Sequence, residues 1–285
     1  EDVGVSDVEV VHGALGAPDW AAPAPGQARV AAVTGASAGV GREIAVAFGA
    51  LGWTVGVGAR RIERLEETAA AVAAAGGTPV LAPLDVTDPQ AVEDFFDAIE
   101  AQAGPAEVLV NNAGVGYLGA VSDVSTDRLR AMVDTNLLGT LLCTRRSVAA
   151  MLDAHISGDV VFISSDSIEK PYPHMLPYGA TKAAVEYLAS GLDVELRGTG
   201  VRISTLRLGP TVSEFNTGWP DEDMIAFMDA WQRLGITEDF NYVPTEVVAR
   251  AVTLAVTMPR GSKLSLLSVR PESTIAADDA EPWAP

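Results

Sequence analysis

The chain is short of basic residues. Its 285 residues hold 19 Lys and Arg against 38 Asp and Glu, a formal charge of −19. Nucleic acids and anionic membranes are gripped through basic faces, so neither is expected as a partner. The acidity itself reads as solubility. Cysteine is nearly absent. Cys143 stands alone in an apolar run, which excludes a disulfide framework and fits a reducing, cytoplasmic compartment. Histidine is scarce too: His12, His155 and His174 are scattered, so no zinc site and no metal are expected. No apolar run has the length of a membrane span. Glu1 and Asp2 open the chain without the basic and apolar regions of a secretory leader, so none is expected.

What is present suffices for one large α/β domain, with 48% of residues hydrophobic and 20% charged. Residues 1–27 are rich in Ala, Gly and Pro and read as a flexible extension. Residues 272–285 read as a frayed acidic tail. Between them, over 28–271, short apolar runs alternate with helical patterns. Strands are expected at 30–33, 54–58, 80–84, 108–110, 159–164, 201–206 and 264–268. Helices are expected over 42–51, 62–75, 89–101, 126–152, 178–197 and 245–257. That alternation predicts a doubly wound, seven-stranded parallel sheet covered on both faces, with ligands at the carboxyl ends of its strands. Residues 209–242 break the rhythm and read as a lid.

The first strand runs into Thr34-Gly35-Ala36-Ser37-Ala38-Gly39-Val40-Gly41 and then a helix. Glycines let the chain turn sharply and let a ligand reach the backbone. The helix start adds unpaired N–H groups and a positive dipole end, which together suit a pyrophosphate. A glycine triplet alone is as often an ordinary tight turn. Here a strand leads in and a helix leads out.

A second constellation follows the fifth strand. Tyr178 and Lys182 lie four apart at a helix start, hence on one face. Ser165 ends the strand thirteen residues before Tyr178. A Tyr/Lys pair at this spacing is usually a surface pair; its place after a strand end argues for chemistry. Reduction of a carbonyl builds negative charge on oxygen and needs a proton donor. Free tyrosine, with a pKa of about 10, is too weak an acid near neutrality. A neighbouring ammonium is expected to lower it.

These motifs, with Asn111-Asn112-Ala113-Gly114 and Asn136 of Asp134-Thr135-Asn136, closely resemble the classical short-chain dehydrogenase/reductase family over about 28–271. The resemblance implies Tyr178 as general acid/base, Lys182 as its electrostatic partner and a ligand of the nicotinamide ribose, and Ser165 on the substrate oxygen. It implies that Asn136 holds a water in a proton relay. It places Gly35, Ser37, Gly39, Val40, Gly41, Asn112, Ala113 and Gly114 along the cofactor, with Asp85 and Val86 flanking the adenine. Gly209, Thr211 and Ser213 would close over it, although Leu208 stands where the family has proline. It also implies a homodimer or homotetramer, paired through the helices over 126–152 and 178–197 with Ala183, Ala184, Leu188 and Leu192.

Arg60 and Arg61 follow the second strand, where users of NAD place an acid. A guanidinium forks onto phosphate, so NADP(H) is expected, with Arg60 as the discriminator. Against this, no basic residue sits inside the glycine turn. In the lid, Met224, Phe227, Met228 and Trp231 fall at amphipathic spacing behind Trp219. Such a stripe can simply pack on the body. The number of large side chains predicts a bulky apolar small-molecule substrate touching Met175, Trp219, Phe227 and Trp231. No Lys or Arg lies between Arg207 and Arg233, so the lid offers nothing to an acidic head group. The expected activity is interconversion of a carbonyl and an alcohol. The alternatives are an NAD(H)-dependent alcohol dehydrogenase, a redox-sensing regulator without turnover, and an extended-type dehydratase or epimerase, whose glycine spacing differs.

Overall fold

The computed structural model describes residues 27–216, 218–234 and 242–272. The expected extension and tail lie outside these residues, apart from Gln27 and Glu272. Seven strands form one parallel sheet: β1 (Val30–Thr34), β2 (Thr54–Ala59), β3 (Thr78–Pro83), β4 (Val108–Asn111), β5 (Asp159–Ser165), β6 (Arg202–Leu208) and β7 (Leu266–Val269). Their order is β3-β2-β1-β4-β5-β6-β7. The winding reverses between β1 and β4, and a crevice opens at the carboxyl ends of that pair.

One face of the sheet is covered by α1 (Gly39–Gly49), α2 (Ile62–Ala74) and α8 (Thr245–Thr257), through Ile44, Phe48, Leu65, Val72, Val248 and Val252. The other is covered by α3 (Pro89–Ala103), α5 (Thr140–Asp153) and α6 (Leu176–Glu195), through Phe95, Phe96, Ile99, Met151 and Val185. Glycines in β2 let α3 lie close. A Cβ on Gly56 would stand 2.2 Å from Ile99 Cδ1, and one on Gly58 would stand 2.7 Å from the Phe95 ring. Cys143 is fully buried, and burial pushes its thiol up to about 12, which makes it a core residue without thiolate chemistry.

The single helix expected over 126–152 is not continuous. It consists of α4 (Thr126–Val133), a π-helical segment (Asp134–Gly139) and α5. The wider turn carries Asn136, whose side chain bonds inward to Val115 and Thr181 instead of lying on a regular face. Two helices start earlier than expected. α1 begins at Gly39, and α6 begins at Leu176 with Pro177 in its first turn, where a missing N–H costs nothing. After β6 come a one-turn helix (Glu214–Asn216) and α7 (Asp221–Arg233). Among the described residues no helix is long and apolar enough to cross a membrane, and no cluster of His, Cys, Asp or Glu could hold a metal ion.

Candidate active site

The crevice between β1 and β4 is tied by Thr34. Its hydroxyl donates to the Val110 carbonyl (3.3 Å) and accepts from the N–H groups of Asn112 and Ala113 (3.0 Å each). The Asn112 amide donates to the carbonyls of Thr34 and Gly35. Gly35 and Gly39 have positive φ, at 67° and 54°, which glycine adopts without strain. A Cβ on Gly35 would stand 2.9 Å from Ala113 Cα, and one on Gly41 would stand 2.4 Å from the Gly35 carbonyl oxygen. The cradle therefore exists only with glycine at these positions. The N-cap of α1, Ala38, supplies no side-chain cap, and its first turn has no acid. Those N–H groups remain available to an anion, so the residues fit a pyrophosphate.

The cradle opens into a cavity of about 680 Å³. Every residue expected to bind cofactor or substrate, or to react, lines it except Gly41 and Asn136. Gly41 is a packing residue behind the turn. Asn136 is fully buried, and its Oδ1 accepts from the Val115 N–H (2.8 Å). Its Nδ2 donates to the Val115 carbonyl (2.9 Å) and the Thr181 hydroxyl (3.0 Å). The side chain clamps the segment after β4 to α6, one residue from Lys182. Its carbonyl accepts from Thr140 Oγ1 (2.7 Å). Leu208, at the expected proline position, ends β6 in register with Ser165 and Val269.

β5 delivers Ser165 and α6 delivers Tyr178 and Lys182 to one wall. The Tyr178 hydroxyl is hydrogen-bonded to the Ser165 side chain, and Lys182 Nζ donates to the Ile163 carbonyl (2.9 Å). The electrostatics run opposite to expectation. Burial raises the Tyr178 phenol well above its ordinary value against the Ser165 hydrogen bond, and the charge of Asp166 adds to the rise. Burial lowers the Lys182 ammonium to about 8. Lys182 Nζ lies 5.8 Å from the tyrosine ring centroid, and desolvation is the largest influence on both groups. The phenol is held protonated, the form that donates to an oxyanion.

Arg60 lines the cavity beside Asp85. Partial burial raises the Asp85 carboxyl, but the N–H and hydroxyl of Thr87 (3.0 and 2.8 Å) and the Arg60 charge bring it below the usual range. The basic residue missing from the glycine turn arrives from elsewhere. Arg61 donates to Ser37 Oγ (3.0 and 3.3 Å) and to Glu214 (2.8 Å), which also meets Arg64 (3.4 Å). The Arg61 hydrogen bond holds the Glu214 carboxyl below its ordinary value. Beside Glu214, the Phe215 ring lies 5.2 Å from that of Tyr178. Arg61 was legible as the neighbour of Arg60; Glu214 had no signal in the sequence.

The far end of the cavity is aromatic. Tyr172 stacks on Trp231 (4.6 Å), Phe227 meets Trp231 (4.4 Å), and Trp219 donates to the Gly116 carbonyl (2.7 Å). Phe227 and Trp231 are buried in a cluster with Leu118 and also line the cavity, so they pack on the body and face the open space at once.

This fold and site are of the kind that holds a dinucleotide at the carboxyl ends of a parallel sheet. The sequence profile of the short chain dehydrogenase family matches residues 29–223. The chain is 32% identical over 247 residues to glycine betaine reductase ATRR of Emericella nidulans, covering 87% of this chain and 19% of that protein. It is 31% identical over 240 residues to sulfoacetaldehyde reductase 2 of Chromohalobacter salexigens, covering 84% of this chain and 92% of that one. An alcohol dehydrogenase from the archaeon Thermococcus sibiricus, solved with 5-hydroxy-NADP, superposes with a TM-score of 0.74 at 26% identity, covering 86% of this chain and 100% of that one. The chain belongs to the short-chain dehydrogenase family.

Proposed function

We propose that the chain interconverts a ketone or aldehyde and an alcohol with NADP(H), on a substrate with a bulky apolar body. The observation that carries this reading is the Ser165–Tyr178 hydrogen bond on the wall between the phosphate cradle and the aromatic end. The bound nicotinamide supplies the hydride. Ser165 orients the substrate oxygen, Tyr178 gives it a proton, and Lys182 holds positive charge beneath it and bonds the ribose. Asn136 positions Lys182 through Thr181, and the relay water expected at Asn136 would sit at its carbonyl. A redox sensor without turnover would not need Tyr178 and Lys182, both of which are present. A cytoplasmic site of action accords with the lone buried thiol.

The test is consumption of NADPH with a graded panel of aldehydes and ketones. Wild type is expected to favour bulky apolar members. Phe227→Ala should raise KM for those and leave small ones nearly unchanged. A lowered melting temperature with an unaltered substrate profile would make Phe227 a packing residue only.

Assembly as a homodimer or homotetramer follows from the family. Leu188 and Leu192, expected at the interface, are half-buried and pack one side against the core. The exposed apolar surface on these helices includes Val133, Leu138, Leu141, Tyr187 and Val194, with Tyr187 82% exposed. Light scattering at micromolar concentration is expected to give a dimer or larger, and Tyr187→Glu to weaken it. A monomeric wild type would refute this assembly.

A further inference from the structure

Resting on the carbonyl reading, we propose that Phe215 is a specificity-determining residue. Its ring stands against Tyr178 and limits the smaller arm of the substrate's carbonyl to hydrogen or methyl. The substrate class is then an aldehyde or methyl ketone whose other arm is large and apolar. The Phe215 ring centroid lies 5.2 Å from that of Tyr178 and 5.6 Å from that of Trp219. Its third neighbour is a glycine. A Cβ on Gly116 would stand 2.3 Å from Phe215 Cζ and 2.9 Å from Cε1. Gly116 lacks the positive φ that would call for glycine on backbone grounds. What its missing Cβ makes room for is the Phe215 ring.

The seat of this ring is held from both sides. Val115 is clamped through its N–H and its carbonyl by Asn136 (2.8 and 2.9 Å), and the Gly116 carbonyl accepts from Trp219 Nε1 (2.7 Å). Across from them, the Phe215 N–H donates to Ser213 Oγ (3.4 Å), and the adjoining Glu214 is bonded to Arg61 (2.8 Å). Ser213 itself rests on the glycine turn, where a Cβ on Gly39 would stand 3.3 Å from the serine Cβ. Phe215 is 36% exposed and belongs to none of the hydrophobic clusters among the described residues, so core packing does not account for its placement. It lines the same cavity as Ser165 and Tyr178. A carbonyl bonded to those two hydroxyls has two arms. The aromatic end, with Phe227 and Trp231, suits the large one. The ring of Phe215 fills the space beside the tyrosine that a second large arm would need. Forcing extra methylenes against a seated ring is costly, so bulk on that arm is rejected.

Benzaldehyde, acetophenone and butyrophenone keep one large arm and change the other from hydrogen to methyl to propyl. The two ketones are electronically alike, so their ratio reads space. With NADPH, kcat/KM for acetophenone is expected to exceed that for butyrophenone by at least about tenfold, with benzaldehyde the fastest of the three. Phe215→Ala should bring the ketone ratio towards one, and Phe215→Leu should fall between. Gly116→Ala tests the seat. Its methyl group and the ring compete for one place, so it should change the ratio when Phe215 is present and not in the Phe215→Ala background. Binding is read separately by titrating α-methylbenzyl and α-propylbenzyl alcohol into protein saturated with NADP+. The smaller alcohol should bind more tightly, whereas without a wall the longer chain would, because it buries more apolar surface. A wild-type ketone ratio at or below one overturns the proposal. So does a Phe215→Ala variant that slows both ketones equally, which would make Phe215 a packing residue. A Gly116→Ala effect of the same size in both backgrounds overturns it as well. Tighter binding of the smaller alcohol, lost in Phe215→Ala, without turnover of any carbonyl supports the wall and overturns the carbonyl reading instead. Absence of both binding and turnover overturns the wall.

Discussion

Tyr178→Phe keeps the nicotinamide cofactor and loses turnover by ~10²–10⁴, the range of a lost general acid. The ring is 8% exposed and packs near Phe215, and phenylalanine fills the same space, so fold and cofactor groove survive. What goes is the hydroxyl bonded to Ser165. Burial has raised that hydroxyl above its ordinary pKa, so in the free protein it is protonated at neutral pH. Lys182, lowered to about 8, loses its charge first as pH rises. The alkaline limb of kcat/KM for NADPH, which reports the free protein, is therefore expected near pH 8 and to belong to the lysine. Cofactor fluorescence titration paired with steady-state rates checks the variant. Near-normal turnover in Tyr178→Phe would remove the tyrosine from the chemistry.

The parts of this site that were legible are those encoded within a few residues. Strand, glycine turn and helix start lie together over 30–49, and local rules carry them. Tyr178 and Lys182 share a helix face, and Ser165 ends a strand whose seven residues are all buried. The parts that were not legible join distant segments. Glu214 meets Arg61 across 153 residues, and nothing in either local pattern announces the pair. Asp159 is held at the opposite end of β5 by Arg29, Arg202 and Arg260, a charged cluster no periodicity reveals. The π-helical segment looked like plain helix because one extra residue in a turn barely disturbs an amphipathic pattern. The shift of Tyr178 was misjudged in sign for a related reason. Sequence places a lysine nearby but not the depth of burial, and depth decided the direction.

We expect cofactor choice to respond to that distant pair. Arg60 alone was expected to discriminate, yet Arg61 is the guanidinium that reaches the glycine turn through Ser37. Replacing both arginines by alanine is expected to weaken NADPH binding by about 10–100-fold, the worth of one to two charge-assisted hydrogen bonds, and to leave NADH within a few-fold. Arg60→Asp adds repulsion and should separate the two cofactors further. Glu214 acts in the other direction, because its carboxylate holds the donors that a 2′-phosphate would take. Arg61 and Glu214 are 53% and 39% exposed, and exposed pairs are weak, so Glu214→Gln is expected to tighten NADPH only a few-fold. NADH, which has no 2′-phosphate, should not respond to it. Raising salt should weaken NADPH more than NADH, since a dianionic group is screened and a hydroxyl is not. Equilibrium titrations of both cofactors on wild type, the double alanine variant and Glu214→Gln decide the point. Parallel losses for NADPH and NADH in the double variant would mean that the arginines hold the adenosine half without reading its phosphate, and the dinucleotide preference would then rest on the glycine turn alone.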